Sequence, residues 1–374
     1  MNGVSCDVAV VGGSLAGSAA AAALARGGAN VVVLEKSRFP RTKICGSFLS
    51  HEALPVLERL GVLPEIRAAG AVTIGRFALV RAGGRRVEAD LPEPVLSLSR
   101  ERLDTIVAEG AARAGAAHRF GTTVLSFEGD LRRGFRLRTS DLGLRAHAVL
   151  GAWGRYSPLD GQLGRLRFRQ KASLFGFGKR LSGNASRLKG RVVLHLFKGG
   201  YLGLSLLEGG VVNLAALATP KVAQEAHHDF GELLSRLSGE SPSLAADLEG
   251  LSPLPGPVLL SEPVHLGLHG GVAGDVLLAG DAAGVIDPWT GTGMALALLT
   301  GEAAAGPLLD FLAGRLNLER LKTAHAAAHR ALAGSRFRWS RLLRGFLQGG
   351  VASRLIAPAA APLARRAIAL TRSP

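Results

Sequence analysis

The sequence predicts an α/β fold: a doubly wound parallel sheet, an antiparallel β-sheet inserted into it, and a helical C-terminal tail. Three observations carry this expectation. Residues 6–35 run as strand, glycine turn, helix and second strand, and a strand, loop and glycine-opened helix return at residues 276–298. Between them, residues 191–217 form short apolar runs punctuated by glycine pairs, the pattern of antiparallel strands. After Glu319 no acidic residue occurs, while arginines recur at helical spacing.

The first unit begins with the apolar strand from Val8 to Val11. Gly12 can make the tight turn that a side chain would block, and Gly17 lets the following helix pack close to the strand. The alanine-rich run at residues 19–25 forms that helix, whose N-terminus offers unpaired N–H groups to a pyrophosphate. Glu35 ends the second strand, about where a carboxylate takes ribose hydroxyls. Ser14 replaces the middle glycine of G-x-G-x-x-G, but strand, helix and acid all stand in place, so the unit reads as a Rossmann-like dinucleotide cradle.

The second unit is a buried strand ending in Gly280-Asp281, then Asp287-Pro288, then Gly291-Thr292-Gly293 at the start of a helix. Two phosphate-facing turns this far apart suit a long, folded-over ligand. On these residues the chain resembles FAD-dependent oxidoreductases of the para-hydroxybenzoate hydroxylase and geranylgeranyl reductase type. The resemblance implies that Asp281 holds the ribityl and pyrophosphate side of FAD. It also implies that the Gly291-Thr292-Gly293 helix N-terminus faces the pyrimidine edge of the flavin, where negative charge develops on reduction.

Further segments extend the resemblance over roughly residues 5–310. Ser97 to Asp104 looks like the strand-to-helix segment whose arginine, here Arg100, reaches the cofactor. Arg41 to Ser50, with Lys43, Cys45 and Gly46, is similar to the Lys-x-Cys-Gly segment that lies beside the isoalloxazine in the reductase branch. Gly151-Ala152-Trp153-Gly154 occupies the place of a Gly-Ala-Asp-Gly motif, with Trp153 where the acid stands. The implied cofactor-binding set is Gly12, Gly13, Ser14, Gly17, Glu35, Lys36, Arg41, Cys45, Gly46, Arg100, Val124, Asp281, Gly291, Thr292 and Gly293. NADPH or NADH is the implied reductant. The expected division is residues 1–74, 97–160 and 262–330 for the FAD-binding domain, 75–96 and 161–261 for the substrate domain, and 331–374 for a basic amphipathic helical segment.

The inserted layer begins with a strand pair from Phe77 to Asp90 around Gly83-Gly84, and Gly134 to Val149 reads as another pair. The longer tract predicts strands at Val192–Phe197, Tyr201–Leu207 and Val211–Leu217, turned at Gly199-Gly200 and Gly209-Gly210. Its leucine-rich face is compatible both with a pocket wall and with an ordinary sheet core. A Gly-Gly-Tyr-x-Gly-Leu segment of the family matches Gly199 to Leu204 and raises Tyr201 as a pocket residue.

The chain has 374 residues, 47% of them apolar and 50 of them glycine, enough to bury a sizeable core. Cys6 and Cys45 are the only cysteines, and no signal peptide precedes the first strand, so a reducing cytoplasm is the expected location. No uninterrupted apolar run reaches the roughly 20 residues of a spanning helix. The net charge of +16 invites a nucleic-acid reading. No recognition motif accompanies it, so no nucleic-acid partner is expected. In helical projection Trp339, Leu342, Leu343, Phe346 and Leu347 share one face, opposite Arg338, Arg341 and Arg344. A helix docked on its own body is one reading of this tail, and peripheral contact with the inner face of a membrane is another.

Chemistry beyond the cofactor rests on few residues. No Cys or His cluster has metal-ligand spacing, so no metal is expected. The catalytic candidates are Cys45, Lys43, Trp289 and Tyr201; His51 and His195 read as structural. The leading expectation is a single-component flavin monooxygenase for a lipophilic aromatic or polyketide-like molecule. Its alternative is a flavin-dependent reductase of carbon–carbon double bonds in a prenyl-type or other hydrophobic substrate, as the Lys43-Ile44-Cys45-Gly46 segment suggests. A halogenase fits less well because the Trp-x-Trp-x-Ile-Pro segment of that branch is absent. A non-catalytic flavin-binding protein of the membrane surface is the remote alternative.

Overall fold

A computed structural model describes residues 4–81, 84–165, 174–261 and 263–348, without the side chains of Leu343 and residues 345–348. In the first sheet the strand Val4–Val11 lies between Val31–Glu35 and Gly143–Gly151, parallel to both. Val276–Leu278 adds in parallel beyond Gly143–Gly151, and Ala117–Phe120 beyond Val31–Glu35. The chain thus leaves the central strand for one side and returns on the other. That reversal opens a crevice at the carboxyl ends of the strands, the usual place for a ligand in such sheets.

The helix Leu15–Arg26 packs against the sheet through side chains no larger than they need to be, with Ala19 to Ala22 fully buried. A Cβ at Gly17 would stand 1.7 Å from the Gly12 carbonyl oxygen, and one at Gly301 would stand 2.1 Å from that of Ala16. The first contact seats the helix on the glycine turn. The second brings the helix Gly293–Ala303 against it backbone to backbone, so both helix N-termini reach the same crevice.

The inserted sheet is built on Phe175–Gly183, Arg191–Phe197, Gly200–Leu206 and Val212–Ala218, close to the predicted strands. It differs from the expectation in extent and direction. The strand Val72–Val80 belongs to it from its first residue, three before the expected boundary, and Phe48–Leu49 forms its far edge. Arg191 to His195 pairs in parallel with Arg76 to Val80, so the sheet is antiparallel in all but one junction. Gly83, half of the predicted turn between the strands Val72–Val80 and Arg86–Ser97, lies outside the described residues.

Two expectations change at the C-terminal end. The tail is one continuous helix, Leu318–Gln348, which starts inside the cofactor domain and crosses the expected boundary without interruption. Its buried face carries Leu321, His325, His329, Ala333, Arg336 and Ser340, whereas Trp339 and Leu342 are 40% and 62% exposed. Of the face read as apolar, Trp339 and Leu342 thus look outward beside exposed Arg338 and Arg341, while the side chains of Leu343, Phe346 and Leu347 lie outside the described residues. Small and polar residues fit the close approach here: Gly271 meets the His329 ring and Gly284 the Phe337 ring. Arg354, Arg365, Arg366 and Arg372 lie outside the described residues. The residues Gly293–Leu312 form a 20-residue stretch of mean hydropathy 1.4, long and apolar enough by composition to cross a membrane although Glu302 and Asp310 interrupt its apolar run. They form two successive helices that pack against Leu15–Arg26 and the tail helix, as core helices of a globular protein do.

Candidate functional site

A cavity of about 300 Å³ lies between the crevice of the parallel sheet and the inner face of the inserted sheet, within the usual size of ligand pockets. Strand alternation sets that inner face. Val212 and Leu214 are buried against the helices outside, while Ala215 and Leu217 alternate with them toward the cavity.

The glycine turn is built for close approach. Gly12 has a φ of +106°, and a Cβ there would lie 2.3 Å from the Ala152 carbonyl oxygen. The obstacle to a side chain is thus the neighbouring strand's own backbone, not only the space left for a phosphate. Ser14, in place of the middle glycine, has an ordinary φ of −79° and makes no cap with its side chain. Its hydroxyl instead donates to Asp104 Oδ2 at 2.9 Å and accepts from Arg100 Nη2 at 2.9 Å. The hydroxyl is drawn aside, and the N–H groups of the helix it precedes stay open toward the cavity. Glu35 Oε2 accepts the Gly13 N–H at 2.8 Å and Oε1 accepts that of Ser37 at 2.9 Å, so its carboxylate ties the turn to the second strand.

A buried charge cluster closes one wall. Arg100 and Asp104 are 5% and 1% exposed, and their side chains meet in a fork with Nε–Oδ1 2.8 Å and Nη2–Oδ2 3.0 Å. Arg41 stands 3.6 Å from the same carboxylate and covers the Phe39 ring. Burial pushes the Asp104 carboxyl up, but Arg100, backed by Lys43 and Arg41, overrides it and holds the group below the usual carboxylate range. For Lys43 the balance falls the other way: burial, then repulsion from Arg100, outweighs the attraction of Asp281 and Asp104 and pulls its ammonium down to about 8.

Of the predicted residues, Ser14, Lys43, Cys45, Gly46, Arg100, Tyr201, Asp281, Trp289, Gly291 and Gly293 line this cavity together. Arg100 also lies beside the Cys45 side chain. The Tyr201 and Trp289 rings lie 4.0 Å apart between centroids, and burial raises the Tyr201 phenol well above its ordinary value. Gly12, Gly13 and Gly17 shape the turn behind the wall. Thr292 is buried, its Oγ1 2.8 Å from that of Thr290. Lys36 is exposed past the second strand, and Val124 packs in the core of the parallel sheet. Trp153 packs on Gly151 and Leu278. His51 is exposed; His195 is buried on the far face of the inserted sheet, paired with Asp247 at 3.1 Å.

Several residues of the site carried no signal in the sequence. Asn213 Nδ2 donates to the Cys45 carbonyl at 2.9 Å and Ser205 Oγ to that of Gly46 at 3.4 Å, fastening the Lys43–Gly46 segment to the inserted sheet. Phe48 sits where a Cβ on Gly291, φ +66°, would approach its ring to 2.7 Å. Two helix N-termini, a turn without room for side chains and a cluster of cations facing one crevice fit a dinucleotide such as FAD. Ser14, Arg100 and Asp281 would hold its phosphate and ribityl side, and the Gly291–Gly293 segment its ring.

Comparison with known proteins agrees with this geometry. The FAD binding domain family matches residues 5–179. A menaquinone reductase of Mycolicibacterium smegmatis is 32% identical over 325 residues, 80% of this chain and 75% of that protein. A 6-methylpretetramide 4-monooxygenase of Streptomyces rimosus is 36% identical over 170 residues, 42% of this chain and 40% of that protein. Among solved structures, the flavin-dependent brominase Bmp2 superposes with a TM-score of 0.80 at 16% identity, covering 99% of this chain and 95% of that one, which bears on the fold alone. The chain belongs to the FAD binding domain family of FAD-dependent oxidoreductases.

Proposed function

We propose that this protein is an NAD(P)H-dependent flavin reductase for a lipophilic substrate with a reducible carbon–carbon double bond, of quinone or prenyl type. One observation carries the reading. Three proton-bearing side chains, Lys43, Cys45 and Tyr201, stand on the walls of a cavity whose lining also includes the apolar side chains of Phe77, Leu91, Val192, Leu194, Leu217 and Ile286, beside the polar Ser14, Arg100 and Asp281 of the cofactor side. Reduction of a double bond needs a proton delivered in a dry place, whereas oxygenation chiefly needs the dry place. FAD bound in the crevice would supply hydride transfer from a nicotinamide to the substrate. Lys43, poised at about 8, is fit to hold or release a proton near neutral pH, while the apolar walls exclude water. The similarity to a menaquinone reductase supports the same choice.

Oxygenation of an aromatic or polyketide-like molecule is the second reading, supported by the similarity to the 6-methylpretetramide monooxygenase. The test is anaerobic reduction of the flavoprotein by NADPH or NADH, then mixing with a short-chain menaquinone and, separately, with O₂. Flavin reoxidation by the quinone without O₂, with one quinone reduced per flavin, is the expected result. Reoxidation by O₂ alone, with oxygen entering an aromatic product, would replace the proposal with the second reading.

The state of Lys43 yields a second expectation. Because burial favours its neutral form above about 8, a bound pyrophosphate or reduced ring restores the charge by taking up a proton. FAD affinity is therefore expected to fall as pH rises past about 8, with uptake of up to about one proton at about pH 9 and none at about pH 6.5. Titration calorimetry in buffers of different ionisation enthalpy measures this directly, and Lys43→Met should remove it.

We also propose that the outward face of the tail helix meets an anionic membrane surface. Trp339 and Leu342 are exposed between Arg338 and Arg341, and Leu268, itself exposed, lies on the strand paired with Gly284, where Phe337 packs. Aromatic and aliphatic groups among arginines are what an interfacial helix presents. Each arginine near an anionic bilayer contributes on the order of 1 kcal/mol, screened by salt. Flotation with anionic liposomes at low salt is expected, lost at high salt and weakened by Trp339→Ser with Leu342→Ser. Failure of the full-length protein to float at low salt would end this proposal.

A further inference from the structure

The loop that carries Trp289 lies between the cavity and the tail helix, and one carboxylate connects the two. Asp287 Oδ1 accepts the Trp289 N–H at 3.3 Å, and the Asp287 carbonyl accepts the Thr290 hydroxyl at 3.0 Å. These bonds form the short turn Pro288–Thr290, which sets Trp289 against Tyr201. The carboxylate is 3% exposed, and its Oδ2 makes no hydrogen bond among the described residues. A buried carboxylate left so is costly unless a cation faces it. Arg344 of the tail helix does: its Nε stands 3.4 Å from Asp287 Oδ2. The Tyr201 phenol, raised first by its own burial, also feels the Asp287 charge, which places carboxylate, phenol and indole in one neighbourhood.

We propose that Arg344 is a positioning residue: through Asp287 it fixes the Pro288–Thr290 turn, and with it the Trp289–Tyr201 wall of the cavity, so the shape of the pocket depends on a docked tail helix. Nothing in sequence links positions 287 and 344; the connection exists only because the helix folds back over the loop. The arrangement makes the tail part of the cavity's construction as well as a surface element. Its consequence for turnover rests on the cavity being the substrate site, but the geometry is tested without any substrate.

The experiment is fluorine NMR of the full-length flavoprotein labelled with 5-fluorotryptophan. The sequence has 3 tryptophans, and Trp289→Phe assigns the resonance of interest. Arg344→Gln is expected to shift and broaden the Trp289 resonance while Trp153 and the flavin content stay as in the parent. Arg344→Lys, which keeps the charge, should restore most of the parent position. Asp287→Asn should reproduce the change of Arg344→Gln, and the double substitution should add nothing further. A Trp289 resonance unmoved in Arg344→Gln overturns the proposal, as does a shift in Arg344→Gln that Asp287→Asn fails to reproduce. If Asp287→Asn does not fold, the contrast between Arg344→Gln and Arg344→Lys decides alone: equal spectra overturn the latch.

Discussion

Gly12→Val is expected to abolish FAD retention and to destabilise the chain by on the order of 4 kcal/mol or more, the range reached by the most damaging single substitutions. Two costs add. The φ of +106° at this position is one that a β-branched residue scarcely adopts, and the first carbon of any side chain would lie 2.3 Å from the Ala152 oxygen and 2.7 Å from its carbonyl carbon. Neither obstacle can move easily. Gly12 follows the strand Val4–Val11, and Ala152 follows Gly143–Gly151, whose backbones are hydrogen-bonded in register up to Val11 and Gly151. Relief would require parting the two central strands where the crevice opens. Gly143→Ala is the matched control, since its added carbon meets nothing within 4 Å in the same sheet. Flavin absorbance after gel filtration and thermal unfolding measure both effects. A Gly12→Val protein that melts like the parent and keeps its flavin would show that the turn is not where the cofactor's phosphates lie.

How much of this was legible in the sequence depends on whether the constraint was local. Gly12 and Gly17 act within one strand–turn–helix unit, and spacing alone placed them; Glu35 ends the second strand where spacing put it, but its carboxylate accepts the Gly13 and Ser37 N–H groups, a partnership that spacing does not reveal. Ser14 was legible only as a departure; its reason lies in Asp104, which arrives from a different helix. Asn213 stands at an alternating position and reads as an ordinary outward residue of a half-buried strand. The outward face is the cavity, because the strand is covered on both sides. The tail helix shows the opposite limit. Projection found an apolar stripe through Trp339 and Leu342, but which face a helix buries is set by the surface that receives it. Here that surface presents Gly271 and Gly284, and it accepts His329, Ala333 and Phe337. Periodicity reports that a helix has two faces; it does not say which one another element will claim.

Asp104→Asn is expected to cost about 3–5 kcal/mol, the range for breaking a buried ion pair, and to lower flavin content with it. The substituted amide keeps the shape but not the charge, leaving Arg100, 5% exposed, without its forked counter-ion and Ser14 without the acceptor that draws its hydroxyl aside. Arg41, beside the same carboxylate, loses its anchor as well. The pH dependence has a fixed sign. The folded carboxyl titrates below its unfolded value of about 3.9, so the pair's contribution is present above about pH 4 and is lost as pH falls through the folded value. Asp104→Asn should therefore narrow its deficit against the parent in acid. A double substitution separates packing from binding. Arg100→Met with Asp104→Leu replaces the pair by apolar groups of similar volume, a change that often recovers stability. Stability is then expected to return toward that of the parent while flavin content does not, because Arg100 itself lines the cavity. Thermal melts and flavin-to-protein absorbance ratios across the three variants measure the split. An Asp104→Asn protein with the parent's melting temperature at neutral pH would show that the fork is not load shared between fold and cofactor. A double variant that regained its flavin would assign Arg100 to packing alone.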